Sequence, residues 1–130
     1  GDPNLTEDDA RRALQQADAL DFVEALPDGL HSDAGERGAR VSAGQRQRIM
    51  LARALAHRPC LLILDEATSA LDRESEAAIC QTLMGLRGDL TIIAVSHQPA
   101  LADFADAVYT LSDGRIEGPR TGGVSPSLAD

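Results

Sequence analysis

Asp65 and Glu66 follow the aliphatic run Leu61-Leu62-Ile63-Leu64, and two carboxylates in that position have the residue types for metal and proton chemistry. A strand of this kind in an open parallel sheet delivers its last residues to the edge where ligands bind. There Asp65 is placed to hold Mg²⁺, usually through water, and Glu66 to polarise a water that attacks a γ-phosphate. Upstream, Val41-Ser42-Ala43-Gly44-Gln45 opens a helix, and the free N–H groups of a helix N-terminus form an anion site. Each signal has an ordinary structural reading beside it: an acidic turn ending a buried strand, and a serine that caps a helix. The sequence contains no lysine, so a Gly-x-x-x-x-Gly-Lys-Ser/Thr phosphate loop is excluded from these 130 residues.

The elements that must position these groups alternate in kind. Thr6 with Asp9 three residues later forms a capping-box pattern ahead of Ala10, Ala13, Leu14 and Ala17, and predicts a helix. A second short helical stretch reaches Leu26 before Pro27-Asp28-Gly29, and the Gly-rich, charged segment from His31 to Arg40 reads as a loop. Ser42 and Gln45 make a further capping box for a helix to about His57, ended by Pro59. Cys60 to Leu64 is expected as a buried strand, Asp72 to Leu86 as a helix, and Thr91 to Val95 as a second buried strand. This order predicts an α/β fold with a parallel sheet flanked by helices. Beyond it, Pro99 to Ala105 is expected to be helical, Val108 to Leu111 extended, and Asp113-Gly114 a hairpin turn into Ile116. From Gly118 onward, Gly, Pro and Ser predominate and a disordered tail is expected.

Composition narrows the partners. A net charge of −9 excludes a nucleic acid as a bulk electrostatic partner, because polyphosphate binding needs a basic face. Residues 1–36 hold ten acids against Arg11 and Arg12, whereas Arg37 to Arg58 hold six arginines and no acid. That basic segment either faces phosphate or an acidic surface, or is a helix with solvated arginines. Phe22, Phe104 and Tyr109 are the only aromatic residues, so aliphatic side chains and alanine must build the core. Cys60 and Cys80 stand among apolar neighbours without pairing or metal-ligand spacing and read as reduced core residues of a cytosolic protein. No run is long and apolar enough to cross a bilayer, and the acidic N-terminus does not read as a signal segment.

The order of these motifs carries a family resemblance. Gly44-Gln45-Arg46-Gln47-Arg48-Ile49 with Leu51-Ala52-Arg53-Ala54-Leu55, then Leu61 to Glu66, then Ala67-Thr68-Ser69-Ala70-Leu71-Asp72, and finally Ser96-His97 together resemble the C-terminal half of an ABC transporter's ATP-binding domain. The resemblance runs from about Leu5 to Glu117 and implies a partial P-loop NTPase fold with a helical subdomain. Residues 1–58 would be mainly the helical subdomain and signature helix, 59–117 the catalytic-core strands, and 118–130 a tail. By the same resemblance Glu66 would be the catalytic base, His97 the switch histidine on the γ-phosphate, and Asp65 the Mg²⁺ ligand. Ser42, Gly44 and Gln45 would meet an ATP held by the partner domain, and Ser69 to Asp72 would cross the dimer interface. His31 and His57 match no motif and read as structural.

Gly35-Glu36-Arg37-Gly38 resembles a loop of exporter-type cassettes that lies near the coupling helices of the membrane domain. The sequence departs from the family pattern at Ala43, which stands at the first signature glycine, and at Val41, which replaces leucine. In the family the phosphate loop, the adenine-stacking aromatic and the glutamine loop all precede the region matched by Gly1, so the chain alone is expected not to bind ATP. The implied whole is an exporter ATPase at the cytoplasmic face of a membrane. Its expected partners are a second ATP-binding domain, a transmembrane domain and the upstream half of its own domain, with ATP and Mg²⁺ as cofactors. Two other classes remain open: a non-transport cassette ATPase of DNA repair or chromosome organisation, and a truncated, non-enzymatic module that pairs with an intact cassette.

Overall fold

The computed structural model describes residues 5–32 and 41–121. The expectations for the Gly35–Gly38 loop and for residues 122–130 lie outside them. Helix α1 (Glu7–Gln16) begins at Thr6, whose Oγ1 accepts from Asp9 N at 3.2 Å while the Asp9 carboxylate accepts from Thr6 N at 3.3 Å. A short helix α2 (Leu20–Glu24) and a 3₁₀ turn (Gly29–His31) follow, and His31 lies 3.4 Å from Glu7.

Helix α3 (Ala43–Ala56) lies along α1, burying Leu51, Ala52, Leu55 and Ala56 against Ala13, Leu14 and Ala17. Small residues on both helices let the backbones approach closely, which is how a chain so poor in aromatics still closes a core. Polar contacts fasten the pair at either end. Arg12 donates to the Ala56 carbonyl at 3.2 Å, and Arg58 reaches Asp9 at 3.1 Å. At the opposite end Arg48 meets both the carbonyl and the carboxylate of Asp18 at 3.0 Å. Hydrogen bonds from Thr6, then Arg12 and Arg58, hold the Asp9 carboxyl well below the usual carboxylate range. The uneven charge of the sequence thus finds part of its use within the chain, where Arg48 and Arg58 pair with acids of the N-terminal segment.

Strand β1 (Leu61–Asp65) pairs in parallel with β2 (Thr91–Val95) in the register Leu61↔Thr91 to Asp65↔Val95. Helix α4 (Arg73–Gly85) connects them, capped by Asp72, and it packs Ile79, Cys80 and Leu83 into the core. The strands are not buried on both faces as their apolar runs suggest. Leu62 is buried and Leu64 and Ile92 half-buried, but Ile63 is 63% exposed and Val95 54%. Alternate side chains point to opposite faces of a strand, and helices cover only one face of this sheet among the described residues. Cys60 is likewise exposed, which corrects its expected place in the core; Cys80 is buried, and that burial pushes its thiol pKa up. Cys60 contributes its carbonyl, which accepts from Thr91 N at 2.9 Å, while its side chain faces out.

Helix α5 (Pro99–Phe104) leads to an antiparallel hairpin of β3 (Val108–Ser112) and β4 (Arg115–Arg120). Asp113 and Gly114 both have positive φ, 49° and 73°, the conformation a two-residue hairpin turn requires. Strand β4 runs past Gly118 to Arg120, so the tail expected from Gly118 starts inside a strand. Its register against β3, ending at Val108↔Arg120, is a backbone match that does not depend on apolar side chains. No helix among the described residues is long and apolar enough to cross a membrane.

Candidate nucleotide site

Parallel pairing brings the ends of β1 and β2 side by side, so that Asp65 and Val95 are neighbours in the sheet. The chain then turns sharply at Glu66, whose φ of 50° is left-handed and uncommon for a residue with a Cβ. Strain of this kind persists only where the surroundings impose it. Here Glu66 N donates to the Val95 carbonyl at 2.9 Å, and the Glu66 carbonyl accepts from Ser69 N at 3.1 Å and Ser69 Oγ at 2.9 Å. The turn sends the Glu66 carboxylate toward the loop after β2, where His97 Nδ1 lies 3.1 Å from Oε1 and 3.0 Å from Oε2. Two residues 31 positions apart are therefore in direct contact, with His97 74% and Glu66 43% exposed.

Asp65 ends β1 as an exposed residue with no hydrogen bond or ion pair on its carboxylate among the described residues. A hard oxygen donor left free in this way fits Mg²⁺, which is held by one or two carboxylates together with substrate phosphates. A full protein cage is not its habit, and no cluster of three or more His, Cys, Asp or Glu suited to a metal exists among the described residues.

The signature segment sits at the start of α3. Ser42 Oγ accepts from Gln45 N at 3.1 Å, and Gln45 Oε1 accepts from Ser42 N at 2.9 Å, closing the capping box read from the sequence. No acid occupies the first turn of α3, so the positive end of its dipole is not offset locally. Gly44 is buried against α4, because a Cβ there would lie 2.7 Å from Ser75 Oγ. Ser75 is in turn fixed by Asp72, which accepts from Ser75 N and Oγ at 2.9 Å each and whose carboxyl is held below its ordinary pKa by those bonds. A groove of about 230 Å³ joins this region to the acidic turn, lined by Ala43, Arg46 and Gln47 on one side and Glu66, Ala67 and Ser69 on the other.

The structure thus brings Glu66 to His97, with Asp65 adjacent to Glu66 in the chain, and links Gly44 to Asp72 through Ser75. Sequence reasoning did not single out Ser75 or Gln98, nor the buried Thr68 that Gln98 meets. The packing of Gly44 on Ser75 and the pairing of Thr68 with Gln98 each span some thirty residues, a separation that local spacing does not reveal.

A parallel β1–β2 pair with an acidic strand end, a histidine after the neighbouring strand and helices packed on the sheet defines a partial P-loop NTPase fold. The chain belongs to the ABC transporter family, whose profile matches residues 2–69. Similar proteins extend the match along most of the sequence. The ATP-dependent lipid A-core flippase of Albidiferax ferrireducens is 47% identical over 109 residues, 84% of this chain and 19% of that protein. That of Saccharophagus degradans is 45% identical over 116 residues, 89% of this chain and 20% of the flippase. The ABC-type transporter fsqE of Aspergillus fumigatus is 43% identical over 112 residues, 86% of this chain and 9% of the transporter. The chain therefore spans 9% to 20% of the length of the curated relatives it matches.

Proposed function

We propose that this chain serves as the C-terminal part of the ATP-hydrolysing domain of an ABC exporter. The observation that carries this reading is the Glu66–His97 contact of 3.0–3.1 Å at the end of a parallel sheet. Glu66 takes the proton of the attacking water, and His97 meets the γ-phosphate. General-base catalysis needs a carboxylate within hydrogen-bond reach of the water, and the left-handed turn at Glu66 presents one at the edge of the sheet. Asp65 would hold Mg²⁺, which when bound neutralises charge developing on the phosphate oxygens.

Ser42, Gly44 and Gln45 present the N-terminus of α3 to an ATP held by a second ATP-binding domain, and Asp72 lies at the boundary between the two sites. The relatives named as flippases favour an export or flipping role, with a transmembrane domain as partner and the cytoplasmic membrane face as location. The α- and β-phosphates fall to a lysine-bearing loop that this sequence does not contain. The test is phosphate release from Mg²⁺-ATP by the chain assembled with a segment carrying such a loop, compared with the Glu66→Gln variant. Turnover that falls at least about a hundredfold in the variant, with ATP still bound, supports the reading. Equal rates contradict it.

A further inference from the structure

Thr68 is the one buried polar residue of the core among the described residues, with 0% exposure. Its Oγ1 donates to Gln98 Oε1 at 3.2 Å, and Gln98 Nε2 donates back to the Thr68 carbonyl at 3.3 Å. The same carbonyl accepts from Leu71 N at 3.1 Å, and Gln98 N donates to Ser96 Oγ at 3.0 Å. Thr68 follows Glu66 by two residues, and Gln98 directly follows His97. The loops after β1 and β2 are therefore joined twice, once at the exposed Glu66–His97 contact and once where the half-buried Gln98 meets the buried Thr68.

These two joints differ in strength. A solvent-exposed contact between ionisable groups is screened and competes with water, so by itself it fixes little. The Thr68–Gln98 pair is doubly hydrogen-bonded, with Thr68 buried and Gln98 half-buried, and is held more firmly, because breaking it leaves the Thr68 hydroxyl unsatisfied away from water. We propose that Thr68 and Gln98 are positioning residues that keep Glu66 and His97 at contact distance through the catalytic cycle. The proposal rests on the hydrolytic reading given above and adds to it a specific pair that holds the two loops in register. Neither residue touches the reacting atoms; each acts by limiting how far its neighbour can swing. Small misplacements of this kind lower the rate of the chemical step more than they weaken substrate binding.

The test uses Thr68→Val, which keeps the buried volume and removes the hydroxyl, Thr68→Ser, which restores the hydroxyl, and Gln98→Leu. In the assembled domain, Thr68→Val and Gln98→Leu should each lower kcat about tenfold with KM for ATP within about twofold, and Thr68→Ser should stay within about threefold of wild type. In parallel, the ¹⁵N resonances of the His97 imidazole in the 130-residue chain should move in Thr68→Val and Gln98→Leu but not in Thr68→Ser. Unchanged kcat in both polar-to-apolar variants, equal losses in Thr68→Ser and Thr68→Val, or unmoved His97 resonances would overturn the proposal. If Thr68→Val does not fold, Gln98→Leu gives the same two readouts. Absence of turnover in the wild-type assembled domain would instead defeat the hydrolytic reading, and the His97 resonances would still decide whether the pair holds the loops together.

Discussion

Replacing Gly44 by alanine isolates one contact of the signature helix. A Cβ at Gly44 would lie 2.7 Å from Ser75 Oγ and 3.0 Å from Ser75 Cβ. Non-bonded carbon contacts prefer about 3.5–4.0 Å, so one partner must retreat by roughly 0.5–1 Å. Ser75 is poorly placed to yield, since Asp72 holds both its N–H and its hydroxyl at 2.9 Å. Overpacking of this kind costs about 1–3 kcal/mol, and loss of the Ser75–Asp72 hydroxyl bond adds about 0.5–1.5 kcal/mol if Ser75 turns away. Alanine returns roughly 0.8–1 kcal/mol of helix propensity. The net expectation if Ser75 turns away is a loss of about 0.5–3.7 kcal/mol, or roughly 2–15 °C in Tm for a chain of this size. Gly85→Ala is the control, because that glycine is also helical and a Cβ there meets nothing within 4 Å. It should gain about 0.5–1 kcal/mol. Thermal unfolding of the two variants decides the matter, with Ser75→Ala combined with Gly44→Ala expected to recover part of the loss. If Gly44→Ala is stabilised as much as Gly85→Ala, the close packing of α3 on α4 is refuted.

Further outcomes follow from the same contacts. Asp9 and Asp72 have folded pKa values below their ordinary 3.8, so the unfolded state binds more protons near that pH and the stability they contribute is lost as pH falls through their folded values. Denaturation midpoints measured from pH 7 to pH 2 should fall along an acid limb that Asp9→Asn makes shallower; an unchanged slope would show that Asp9 does not carry it. Cys60 should react with a thiol reagent before unfolding while Cys80 reacts only with it, and equal rates would contradict the exposure of the one and burial of the other. Strand β2 pairs only with β1 among the described residues, leaving an edge whose Ile93 is 49% exposed. Such edges recruit partners, so light scattering should show the chain self-associating with rising concentration and Ile93→Lys abolishing it, whereas a wild-type monomer at every concentration would show the edge to be covered.

Features set by residues three or four apart were legible from the sequence. The capping boxes at Thr6–Asp9 and Ser42–Gln45 satisfy local N–H groups, and the Asp113-Gly114 turn needs only its own φ values. The acidic pair at the end of β1 could be read because a strand's last residue has one possible place in an open sheet. What covers a strand could not be read in the same way. An unbroken apolar run looks the same whether helices bury one face or two, which is why Ile63 and Cys60 were expected inside and lie exposed. The contacts that link the site elements are also non-local: Glu66 with His97, Thr68 with Gln98, and Gly44 with Ser75. For the first of these, motif order singled out both residues as candidates. The other two become visible only when the loops and helices are packed together.

The proposed hydrolysis depends on Glu66 and His97 acting as one unit. Its sharpest test is kcat of the assembled domain measured for Glu66→Gln, His97→Ala and the double variant. Residues that share one step lose their effect together, so the double variant should be no more than about threefold slower than the slower single variant. Multiplied losses, each residue lowering kcat by its full factor regardless of the other, would contradict a shared role for the contact seen at 3.0 Å.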